Sequence, residues 1–137
     1  MSLLAASLEI QRAVYARLSS DGPLTALIGI GRVYDDVPAD ASFPYLTLGD
    51  AAARDWSTGT SAGSEHAVTI EAWSRSAGRT EIKQMLASVE AALTGTPLTV
   101  AGYRPVLLHA TSATTQIERD GITYRGTLRL RLLVEPL

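Results

Sequence analysis

From Ile122 to Val134 apolar and polar residues alternate. Ile122, Tyr124, Leu128, Leu130, Leu132 and Val134 fall on one side, and Thr123, Arg125, Thr127, Arg129 and Arg131 on the other. A period of two with one apolar side predicts a strand that buries one face and wets the other. Asp120-Gly121 just before it predicts the turn of an antiparallel hairpin whose first arm runs from Tyr103 to about Thr115. The same period governs His66 to Arg75, where Val68, Ile70 and Ala72 oppose Thr69, Glu71 and Trp73. A tryptophan opposite the core face implies that the second face is covered too, at least locally. Near Ser74 the period changes to about 3.6. Ile82, Met85, Leu86, Val89 and Leu93 then form the stripe of a core-facing helix over about 77–94. Gly95 supplies a C′ position, and Pro97 forbids continuation.

Upstream, Leu3, Ala6, Ile10, Val14 and Leu18 predict an amphipathic helix over residues 2–19, with Ser2 as N-cap and Ser19-Ser20-Asp21-Gly22-Pro23 as its stop. Leu24 to Ile28 suits one more helical turn, and Arg32 to Pro38 a short extended segment. Phe43 to Gly49 reads as a strand, with Pro44 at its start or on a sheet edge. Asp55 to Gly63, rich in Gly, Ser and Thr, is expected to be an exposed, mobile loop between two hairpin arms. The expected fold class is α+β: a mostly antiparallel β-sheet packed against an N-terminal helix and a second helix at about 77–94, in a single domain spanning 1–137.

Composition narrows the function. A chain of 137 residues makes about one domain, and its net charge of −2 gives no global pull toward nucleic acid or anionic lipid. There is no cysteine, so disulfides and thiolate chemistry are excluded. His66 and His109 lack ligand spacing, and no metal site is expected. No apolar run reaches the roughly 18–20 residues that span a bilayer. Leu3 to Ala6 lacks a signal-peptide pattern, so synthesis in the cytoplasm is expected. Asp35 and Asp36 would point to opposite faces of a strand and could not share a proton. Gly29-Ile30-Gly31 lacks the third glycine of a dinucleotide motif, and neither a nucleophile elbow nor a phosphate loop occurs. No enzyme and no cofactor are expected.

Trp56, in a Gly/Ser/Thr-rich loop, must either tuck back onto the domain or anchor a protein interface. Arg54 and Asp55 stand beside it. The arginine row of the last strand has no interleaved aromatics for base stacking, which favours a solvated or intersubunit face over a nucleic-acid site.

Several phrases, in order, resemble one family. They are Leu8 to Leu18, Val33-Tyr34-Asp35, Phe43 to Gly49, Val68 to Arg75 leading to Gly78-Arg79, and Asp120 to Arg131. The chain is similar along nearly its whole length to the tail-completion or tail-terminator proteins of long-tailed bacteriophages, prophages and gene transfer agents. That resemblance implies a virion protein assembled in the bacterial cytoplasm. Such a protein forms a ring, usually hexameric, at the head-proximal end of the tail, stops tube polymerisation and receives the head connector. Its implied partners are copies of itself, the tail tube protein and the head connector or stopper protein, with no cofactor, no sequence-specific nucleic acid and no membrane. The candidate interface residues are Arg54, Asp55 and Trp56, facing a neighbour or the tube, and Arg125, Arg129 and Arg131, facing a neighbour or the lumen. The alternatives are another neck protein, an adaptor or stopper, or a cytoplasmic ligand-binding domain.

Overall fold

In a computed structural model that describes residues 2–137, three helices pack on one face of a six-stranded sheet. Helix α1 spans Leu3–Ser20 and α2 Gly22–Ile28. Strands β1 (Val33–Tyr34), β2 (Tyr45–Leu48), β3 (Ala52–Asp55) and β4 (Ser64–Ser74) follow, then α3 (Thr80–Thr94), β5 (Tyr103–Ile117) and β6 (Tyr124–Pro136). The sheet order is β1-β2-β4-β6-β5, and β3 also pairs with β4. β1 and β2 are parallel and every other pairing is antiparallel. The α+β expectation holds. No helix among the described residues is long and apolar enough to cross a membrane.

The periodicities fix which faces meet. Ala6, Ile10, Val14 and Leu18 of α1 are buried, as are Ile82, Met85, Leu86, Val89 and Leu93 of α3. Both stripes pack on the inner face of the sheet, which presents Ile70, Ala72, Leu128, Leu130, Leu132 and Val134. Each such Leu or Ile contributes on the order of 1.5–3 kcal/mol of transfer free energy. Ser2 caps α1 by accepting from the Ala5 N–H at 3.1 Å. Asp21 ends α1 and caps α2, accepting from the Leu24 N–H at 3.0 Å.

Three local expectations are corrected. Helix α3 begins at Thr80 rather than near Ala77, because Ser74 Oγ takes the Ser76 N–H at 3.1 Å, its own hydroxyl donates to Glu81 at 2.6 Å, and Gly78 turns through φ +85°. Gly95 is the C-cap itself, in the right-handed region (φ −70°), and not the C′ residue one position beyond it. The end of α3 is closed instead from α1, where Arg17 donates to the carbonyls of Ala92 at 2.9 Å and Pro97 at 2.8 Å. That supplies both the hydrogen bonds and the positive charge a helix C-terminus favours. Finally, Ile122 is exposed and Thr123 is buried, the reverse of the alternation. Both lie in the turn, where Asp120 accepts from the Ile122 and Thr123 N–H groups at 2.9 and 2.8 Å, so strand parity starts only at Tyr124.

Candidate protein-interaction surface

Residues directly opposed across antiparallel strands share a face. Arg125, Arg129 and Arg131 of β6 oppose Trp73, Thr69 and Ala67 of β4, and Glu65 and Glu71 share that parity. The sheet face turned away from the helices is therefore a ladder of arginines beside a ladder of carboxylates.

One end of this face is built around Glu65. Its two carboxylate oxygens accept separately from Arg54 Nε of β3 and Arg131 Nε of β6. These two guanidiniums, Arg54 first, hold the Glu65 carboxyl below the usual carboxylate range. The same guanidiniums lie 5.1 and 5.3 Å from the ring centre of Trp56, within cation–π range. Trp56 is thus oriented by the sheet while 46% exposed. Its loop is exposed but internally bonded: the Trp56 N–H reaches Gly63 O at 2.9 Å and the Thr58 N–H reaches Ser61 O at 2.8 Å. A shallow cavity of about 280 Å³ beside it is lined by Trp56, Ala62, Val106 and Leu133. Asp55 stays out of the cluster, since its carboxylate accepts from the Ser57 hydroxyl at 2.6 Å and shapes the loop.

The other end is built around Arg125, 3.1 Å from Glu118 and 3.8 Å from Glu71. The contact to Glu118 lacks the direction of a hydrogen bond, so Arg125 Nε is a buried polar atom without one. Its guanidinium lies 5.6 Å from the ring centre of Trp73, which stacks on Tyr45 at 6.3 Å and donates to Thr47 Oγ1 at 3.0 Å. Phe43, 5.0 Å from Tyr45, is covered by Arg75 at 4.3 Å. This aromatic group is the local cover that Trp73 implied. Between the two ends, Arg129 is exposed and has no ion-pair partner among the described residues.

Of the six candidate residues, Arg54, Trp56 and Arg131 come together, Arg125 anchors a second cluster, Arg129 stands free and Asp55 serves its loop. Glu65 was missed. Its parity with Glu71 and Trp73 was readable, but the β3 register that brings Arg54 beside it was not. Among the described residues no group of three or more His, Cys, Asp and Glu is placed to hold a metal. The arrangement suits recognition of a protein surface: an oriented tryptophan, paired charges and one unpaired cation.

A sequence model of the family described as "Tail completion protein gp17" matches residues 12–135, from the second half of α1 through nearly all of β6. The chain belongs to the gp17 tail completion family. Tail completion protein gp17 of Bacillus phage SPP1 is 26% identical over 129 residues, 94% of each chain. A chain in the structure titled "Virion of native gene transfer agent (GTA) particle" superimposes with a TM-score of 0.86 and 32% identity, covering 98% of both chains. The solved structure of bacteriophage SPP1 gp17 matches with a TM-score of 0.62 at 24% identity, covering 94% of this chain and 90% of that one, and shares the fold. This protein is accordingly a structural tail completion protein of the phage and gene-transfer-agent type, and the charged outer face is its most organised exposed feature.

Proposed function

We propose that this tail completion protein forms a homo-oligomeric ring, most simply a hexamer, on the head-proximal end of a tail tube. There it ends tube polymerisation and provides the surface to which the head connector docks. The observation that carries this reading is the superposition, over 98% of both chains, on a subunit of a gene transfer agent virion, together with membership of the tail completion family. A ring subunit needs two different surfaces that meet head to tail, and a tube cap needs a third. The Arg54–Trp56–Glu65–Arg131 cluster supports the last role, since aromatic and arginine anchors with satisfied charges are what a specific protein contact uses. Arg129, without a carboxylate of its own, suits an acidic group on the tube or a neighbour.

The test is to produce particles with and without the protein and measure tail length and head attachment by electron microscopy. Overlong, headless tails in its absence are expected. Tails of unchanged length that still join heads would refute the reading.

A further inference from the structure

The helical layer is narrower than the sheet it covers. Helix α1 packs on β1, β3 and β4, and α3 on β4, β6 and β5. Because β5 is the edge strand, its inner face runs out from under α3. Ala113 and Ile117, opposed to Leu128 and Tyr124 and so on the inner face, are exposed. A groove of about 440 Å³ opens between α3 and β5, floored by Leu86, Ala87, Ala113 and Leu128, with Lys83 and Glu90 among its lining residues.

The opposite flank has the converse shape. Helix α1 turns Arg17 toward α3 and exposes Leu4, Leu8 and Tyr15, at 78%, 46% and 45%. At 3.6 residues per turn these three fall within about 40° of one another around the helix, an apolar stripe on the side of α1 away from α3, interrupted between Leu8 and Tyr15 by the exposed Gln11 and Arg12. Arg12 and Tyr15 of this flank line a cleft with Asp35 and Asp36 of the segment after β1.

We infer that α1 of one copy seats its Leu4–Leu8–Tyr15 stripe in the α3–β5 groove of the next, so that the ring is built by one copy completing the helical layer of another. The inference rests on the ring reading and specifies how the ring closes. Apolar stripe meets apolar floor, and the charges complement once exposed local partners are exchanged: Arg12, paired to Glu9 at 2.6 Å within α1, turns to Glu90, and Lys83 suits the Asp35–Asp36 pair, of which Asp35 accepts from Gln11. The two surfaces lie on opposite flanks and differ from each other, so the contact is heterologous and propagates until it closes. The same docking brings the neighbour's sheet toward the β5 edge. There Ser112 to Ile117 carries no charge and no proline, the devices that blunt edge strands of free-standing proteins.

The full chain has no cysteine, so crosslinking is clean. Leu8→Cys and Ala87→Cys are placed together in one chain, expressed with the remaining particle proteins, and treated with a bismaleimide. A ladder running from dimer up to the ring size is expected, while each single variant stays at monomer mass. A ladder that stops at dimer, as a two-fold contact would give, overturns the inference, and so does the absence of crosslinks. In parallel, Leu8→Asp is expected to keep the circular dichroism and melting temperature of the parent but to be lost from purified tails. Its retention at parental levels overturns the pairing. If omitting the protein lengthens the tails while the crosslinks fail, only the flank pairing falls. If omission leaves the tails unchanged, the ring reading itself fails.

Discussion

The carboxylate of Glu65 is divided between two strands, one oxygen held by Arg54 of β3 and the other by Arg131 of β6. It is thereby the electrostatic fastener between the Trp56 arm and the body of the sheet. Its folded pKa is depressed, as is that of Asp120, whose carboxylate accepts first from the Thr123 hydroxyl. A depressed carboxylate contributes stability that is fully present above its unfolded pKa and lost as pH falls through the folded value. Urea stability should therefore decline below about pH 4.5, the ordinary glutamate range. In Glu65→Gln that decline should be smaller. At neutral pH the substitution should lower stability, because it removes the charge that the two guanidiniums share.

Trp56→Ala should separate folding from assembly. The residue is almost half exposed and its ring lies beside two guanidiniums at the sheet surface, so the melting temperature should change little. Incorporation into tails, measured by quantitative blotting of purified particles, should fall at least tenfold. Incorporation at the parental level would remove Trp56 from the interface.

Arg125 and Arg129 are alike in sequence and should behave oppositely. Arg125 sits between Glu71 and Glu118, so Arg125→Glu gathers three carboxylates in a half-buried site and should cost about 2–4 kcal/mol. Arg129→Glu breaks no ion pair and should leave stability within about 0.5 kcal/mol. Any loss it causes should appear in tail incorporation. Chemical denaturation of the two variants, beside particle blots, checks the contrast.

That difference marks the limit of what the linear sequence conveys. Alternation along β6 assigned all three arginines to one face, and helical spacing assigned the core residues of α3 except Ala92. Both signals are local. Which arginine is neutralised depends on strand register and on diagonal neighbours, which can pair residues as far apart in sequence as Glu65 and Arg131. The β3 strand was invisible for a related reason. Ala51-Ala52-Ala53 carries no alternation, and only pairing with β4 makes it extended. The exposed residues Leu4, Leu8 and Tyr15 of α1 went unread, because their significance depends on the uncovered groove at the far side of the sheet.

His66 should give the protein a second pH dependence, nearer neutrality. It is buried on the inner face of β4, its Nε2 is 2.8 Å from Ser64 Oγ, and burial pushes its pKa below the ordinary value. The small cavity of about 40 Å³ that it lines with Ser7 and Gln11 contains no carboxylate to offset a charge. The unfolded chain takes up the proton first, so stability should be constant above about pH 7.5 and fall as pH drops through about 6.5. His66→Gln should flatten that slope between about pH 7.5 and 5.5 in denaturant titrations. An unchanged slope would show that another group titrates there.

Gly126 tests how tightly α3 is set on the sheet. A Cβ at this position would lie 2.8 Å from Leu86 Cδ1 and 2.9 Å from Ile82 Cγ1, so glycine is what allows β6 to approach the helix. Leu86 borders the α3–β5 groove and can give way in part, whereas Ile82 is fully buried and has no such outlet. Gly126→Ala should therefore cost about 1–3 kcal/mol through overpacking, despite the entropy it removes from the unfolded chain. Gly59, in the exposed loop with nothing within 4 Å of its added Cβ, should accept alanine with little change. Because α3 forms one wall of the α3–β5 groove, a shift forced by the added methyl group should also reach assembly. Thermal melts and tail incorporation should deteriorate together in Gly126→Ala, and neither should change in Gly59→Ala.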